Sequence, residues 1–140
     1  MESKQVPLEI YSKITNEILL VINKKNDIST NRTDLCSEDK YLQISTKKLS
    51  AGSAFKAHKH LPIERQTDIT QEAWIILEGR IEAYFYDIDD TLLYRTTLNA
   101  GDCAIVFKAG HSFEVIDDNT VLYEVKNGPY YGQQRDKVFI

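Results

Sequence analysis

From residue 41 onward, apolar and polar positions alternate in short runs. These runs cover 41–49, 54–60, 72–77, 81–87, 92–98, 103–107, 113–116 and 121–126, and most are rich in β-branched and aromatic residues. Turn-forming groups separate most of them: Ala51-Gly52, Glu78-Gly79, Asp89-Asp90, Asn99-Ala100-Gly101, Lys108-Ala109-Gly110 and Asp117-Asp118-Asn119. Eight short strands about ten residues apart, with no helical pattern between them, predict an all-β sandwich or barrel.

The chain ahead of residue 41 is less regular. Ile10, Ile14, Ile18 and Ile22 recur every four residues, as on one face of a helix. Within the same stretch, Glu17-Ile18-Leu19-Leu20-Val21-Ile22-Asn23 forms a compact β-rich run, and a strand over 17–23 is favoured because everything downstream is β-rich. Residues 1–7 read as a loose polar arm and 26–39 as loop. The chain therefore divides into an N-terminal section (1–40), a barrel (41–126) and a tail (127–140). The tail breaks the sheet at Asn127-Gly128-Pro129 and ends in Val138-Phe139-Ile140. Residues 61–71, polar and containing Pro62, read as a loop over the barrel mouth, and loops of that length are often functional.

At 140 residues the chain is one domain, able to bury about two-thirds of its unfolded surface. A net charge of −4 and the lack of a Lys/Arg block argue against a nucleic-acid partner. The start, Met-Glu-Ser-Lys-Gln, has no apolar leader, and no run reaches membrane-spanning length, so no membrane association and a cytoplasmic location are expected. Cys36 and Cys103 are too few for a disulfide framework or a thiolate zinc site. The apolar runs 18–22 and 138–140 lie outside the eight-strand pattern and need covering. A homodimer with the N-terminal run at its interface is therefore expected.

The chemistry concentrates on histidine. The sequence has three, and His58 and His60 stand two residues apart, which puts both imidazoles on one face of a strand. Such a pair can hold a metal if other strands bring the remaining ligands, for which Glu72 and His111 are candidates. Glu64 competes with Glu72. By alternation, however, Glu72 shares a strand face with Trp74 and Ile76, whereas Glu64 lies beside Pro62 in the polar loop. Glu124, mid-strand, must either face solvent or find a partner inside. Tyr84 is a candidate stacking surface, and Arg65 and Gln71 are placed to reach a ligand from the long loop. No Gly-x-Ser-x-Gly elbow, phosphate-cradling loop or dinucleotide fingerprint occurs.

The spacing resembles that of the cupin family. Gly52 is followed by five residues, then His58 and His60, and Glu72 by six residues, then Gly79; Gly101, Gly110 and His111 resemble the second motif. There are two departures. Eleven residues separate His60 from Glu72, where the family has three or four, and Phe107 stands where the second motif has proline. The resemblance, over roughly 41–126, implies a jelly-roll barrel (a double-stranded β-helix) with one divalent metal held by His58, His60, Glu72 and His111. Three imidazoles and a carboxylate suit Fe, Mn, Co, Ni or Zn. The chain is also similar to small bacterial cupins that accompany polysaccharide and nucleotide-sugar genes, which implies a small polar metabolite, such as a sugar derivative, as ligand. A non-catalytic sensor and an Fe(II)-dependent dioxygenase are the alternative readings.

Overall fold

Burial along residues 80–86 alternates strictly. Ile81, Ala83 and Phe85 are fully enclosed, while Glu82, Tyr84 and Tyr86 between them are partly exposed. That period of two marks a strand with one face on a core. The computed structural model describes residues 7–140 and builds its described residues almost wholly from such strands. They are β1 (Leu8–Tyr11), β2 (Ile18–Asn23), β3 (Thr33–Asp34), β4 (Ser45–Thr46), β5 (Glu72–Glu78), β6 (Arg80–Tyr86), β7 (Leu92–Asn99), β8 (Cys103–Val106), β9 (Gly110–Val115) and β10 (Val121–Lys126). One helical turn, α1 (Gln133–Asp136), follows.

The strands form a five-stranded sheet in the order β1-β2-β8-β5-β10, a three-stranded sheet β7-β6-β9 and a short ribbon β3-β4. The strand pairs are antiparallel. The two larger sheets face each other across a core that includes Leu20, Ile22, Trp74, Ile76, Ile81 and Phe85. Each such side chain contributes about 1.5–3 kcal/mol on burial. The opposite face of the five-stranded sheet carries Val21, Ala73, Cys103 and Ile105, and Leu35, Cys36, Leu42 and Ile44 from the β3–β4 region cover it.

Two polar devices hold the sheets in register. Gly79 turns the chain from β5 into β6 at φ +76°, with Thr120 too close to leave room for a Cβ. At the other end, buried Asp87 accepts hydrogen bonds from Ser12 Oγ (2.6 Å), Lys13 N (2.9 Å) and Ile88 N (2.8 Å). It thereby ties the β1–β2 turn to the end of β6.

Several expectations need correcting. The strand favoured over 17–23 is present as β2, but β1 ahead of it was not expected, and the fourfold isoleucine spacing comes from two strands, with Ile14 exposed in the turn between them. The N-terminal run is not free to add to a partner, because β2 is enclosed between β1 and β8 of its own sheet. Of residues 41–49 only Ser45–Thr46 are strand, and residues 54–60 form none, because this stretch meets no sheet edge of its own chain. Residues 1–6 of the proposed N-terminal arm lie outside the described residues.

Candidate functional site between the two sheets

Glu72 opens β5, directly across from Val106 on β8 and Lys126 on β10. Partners in such a register share a face, so Glu72 points into the core, where it is 7% exposed. His111 comes from the other sheet. It is the second residue of β9, paired with inward-facing Phe85. The two side chains meet with His111 Nε2 2.6 Å from Glu72 Oε2. One step deeper on the same face of β5, the Trp74 ring lies 5.4 Å from His111, 5.9 Å from Phe85 and 5.0 Å from Phe113. Its indole N–H is buried with no hydrogen-bond partner.

β10 completes the group. Alternation places Leu122, Glu124 and Lys126 on the sheet face that their partners Ile76, Trp74 and Glu72 occupy on β5. Lys126 Nζ is 3.6 Å from Glu72 Oε1, 3.9 Å from Glu124 Oε2 and 4.0 Å from Asp136 Oδ2. Burial pushes the Glu72 carboxyl up, but the hydrogen bond and charge of His111, with Glu124 and Lys126, outweigh it and hold the group below its ordinary value. Burial works the other way on His111. There the Glu72 carboxylate and the Ala109 carbonyl prevail, so the imidazole is raised. Glu124 is raised, first by burial and then by the hydrogen bond and charge of Glu72. Glu72 therefore stays ionised, and of the two carboxyls Glu124 is the one that takes a proton.

The His111 ring is oriented from behind. Its Nδ1 lies 3.0 Å from the Ala109 carbonyl, which can only accept, so Nδ1 carries the proton and Nε2 faces the carboxylate. His58 repeats the arrangement, with Nδ1 3.1 Å from the Lys56 carbonyl. A cleft of about 370 Å³ adjoins the cluster; Lys126, Asn127, Pro129, Tyr130, Tyr131 and Arg135 are among its lining residues. Thr70 Oγ1 donates to Asp136, and Gln71 N donates to Asn127 Oδ1 (2.6 Å), which fastens this tail to the start of β5.

Of the residues singled out from sequence, the structure brings Glu72, His111 and Glu124 together. His58 and His60 lie elsewhere, with rings 5.5 Å apart at 81°, on a fully exposed stretch that also carries Glu64 and Arg65. Among the described residues, no three His, Cys, Asp or Glu side chains converge closely enough to hold a metal ion. Gln71 is buried, and its Oε1 accepts from Tyr41 N (2.8 Å) and Leu42 N (2.9 Å), so it braces the backbone. Tyr84 faces away from the core, beneath the Arg95 guanidinium at 5.3 Å. Lys126, Asp136 and Arg135 were not foreseen, although the face that Lys126 shares with Glu124 was readable from the alternation of β10. No family model, curated protein or solved structure matches the chain. Among the described residues, no helix is long and apolar enough to cross a membrane.

Proposed function

We propose that this protein is a metal-binding cupin-type domain whose site, between the two sheets, receives a small polar metabolite. The observation that carries the reading is the matched presentation of His58 and His111. Each turns Nδ1 to the carbonyl two residues earlier; Nε2 of His58 is thereby presented for ligation, and Nε2 of His111 would ligate on releasing the proton that it donates to Glu72. The donor chemistry fits a divalent ion. Glu72 is ionised and faces His111 Nε2 at 2.6 Å, and His58 and His60, which stand apart on the exposed stretch, would have to move in to add two more imidazoles. His58, His60, Glu72 and His111 would hold Fe, Mn, Co, Ni or Zn, and the bound ion would polarise a ligand oxygen or acidify a bound water.

The chain's own groups suit an oxygen-rich ligand. Glu124, with its raised carboxyl, can hold or release a proton at the edge of the site. Lys126 and Arg135 offer positive charge along the adjoining cleft, and Tyr130 and Tyr131 offer aromatic faces, a lining that fits a sugar derivative or a similar hydroxylated, anionic compound. The same lining serves a sensor that binds without turnover. Turnover that requires both Fe(II) and dioxygen would mark a dioxygenase instead.

The test is elemental analysis of untagged protein after loading with each metal in turn. About one equivalent per chain is expected. Less than about a tenth of an equivalent with every metal overturns the reading.

A further inference from the structure

Residues 47–69 are exposed without a break and belong to no strand. This arm is tied where it leaves the body, by Lys48 N to the Thr30 carbonyl (3.1 Å), and where it returns, by Tyr41 Oη to Asp68 Oδ1 (2.8 Å). Between those ties, among the described residues, its backbone bonds only to itself, at the Ser50–Ser53 turn (3.2 Å). Leu61 and Ile63 are left 80% and 66% exposed. A loop of this length that holds apolar side chains in water is costly unless something covers it.

The body has an opening of matching kind. Among the described residues β9 pairs only with β6, so its other edge is a template for an added strand. The site is uncovered on that side: the His111 side chain is 32% exposed, whereas that of its partner Glu72 is 9% exposed. Charge marks the same edge. Residues 47–63 contain Lys47, Lys48, Lys56 and Lys59 and no acid. Residues 111–125 contain Glu114, Asp117, Asp118 and Glu124 and no Lys or Arg.

The anchors fix which way the arm lies against that edge. Thr70 and Gln71 are fastened to the tail by Asp136 and Asn127, and Glu72, the next residue, touches His111. A chain arriving there along β9 runs from Val115 toward His111, which makes it antiparallel to β9. Both ends reach. The eight residues from Lys48 to Lys56 span up to about 26 Å, against about 20 Å for two sheet spacings. The eleven from His60 to Gln71 span up to about 36 Å, far more than two touching neighbours require.

We infer that residues 56–60 close onto β9 of their own chain as an added antiparallel strand and roof the site. Glu114 and its partner Glu82 face outward, away from enclosed Ala83 and Phe85. Lys59 turned to that face meets both carboxylates, which by alternation leaves His58 and His60 turned inward, over His111 and Phe113. Leu61 then falls beside Gly110, against which Ile140 already packs. The arm is thus a lid: open, it admits a ligand; closed, it keeps water from Glu72 and His111. The closure needs no bound ion, so it stands apart from the metal reading.

Two readouts on the full-length protein test it. Amides of 56–60 should exchange with deuterium at least about tenfold more slowly than in a free peptide of the same sequence. Lys59→Glu sets a like charge beside Glu114 and should speed both that exchange and the reaction of His111 with diethyl pyrocarbonate. Free-peptide rates in the wild type, or no response to Lys59→Glu, overturn the closure. The second readout refolds ¹⁵N-labelled and unlabelled chains together and joins lysines to carboxylates with a zero-length reagent. Links from Lys56 or Lys59 to Glu114 are expected within chains of one isotope. Mixed-isotope links, or no link to Glu114, overturn the closure. A wild type that binds no metal overturns the proposed function and leaves these readouts to decide the lid.

Discussion

His111 Nε2 and Glu72 Oε2 stand 2.6 Å apart although they belong to different sheets. Glu72→Gln should therefore weaken metal binding by at least about tenfold, because an amide is a poorer ligand for a hard cation than a carboxylate. Glu64→Gln, on the exposed arm, should change it little. Competition against a chelator measures both. The opposite order would place the carboxylate ligand on the arm.

Asp87 sets a lower pH limit on stability. Its hydrogen bond from Ser12 is the largest influence and, with the amides of Ile88 and Lys13 and the Lys13 charge, holds the carboxyl below its ordinary value although burial opposes this. A depressed folded-state pKa contributes stability that is fully present above the unfolded value of about 3.9 and is lost as pH falls through the folded one. Asp87→Asn should lower the melting temperature at neutral pH, and the gap from wild type should close below about pH 3.9. A gap that stays constant down to the acid limit would show that the hydrogen bonds matter through shape alone.

Leu20 is fully enclosed in β2, across from Val106 on β8 and Ile10 on β1. Leu20→Ala should cost about 2–5 kcal/mol by denaturant titration, more than an edge-strand change such as Tyr123→Ala on exposed β10. A cost under about 1 kcal/mol would mean that β2 is peripheral to the cooperative core.

Burial, with smaller contributions from Cys36 and Asp102, pushes the Cys103 thiol up to about 12. Burial also raises Cys36. Thiolate is the reactive form, so neither cysteine should react quickly with a thiol reagent near neutral pH in the native protein, and both should react once it is unfolded. A rapid burst of one equivalent from native protein would contradict the packing of that face.

Strands β5 to β8 and β10 were legible in the sequence because each carries its own evidence: side chains that alternate between the core and another environment, bounded by turn residues. β9 was read only from Phe113, because Gly110 looked like a turn and hid the half that carries His111. Residues 54–60 have the same local composition and yet are not strand here, since a strand is completed by a neighbour and the sequence does not name one. Glu72 and His111 could be found from spacing. Lys126 could not, because a lysine at a strand end reads as solvated until the register opposite Glu72 is known, and a bulge at Val121–Leu122 shifts that register. β1 was missed for its length, four residues just after Pro7.

Trp74 is the chain's single tryptophan, and its indole lies against the edge of His111 while its N–H remains unbonded. Its emission comes from one known place, so no other indole dilutes the signal. An imidazole that gains a proton or a ligand alters the field and the quenching felt by the ring beside it. The fold thus carries a built-in optical gauge of His111, readable in dilute solution without a label.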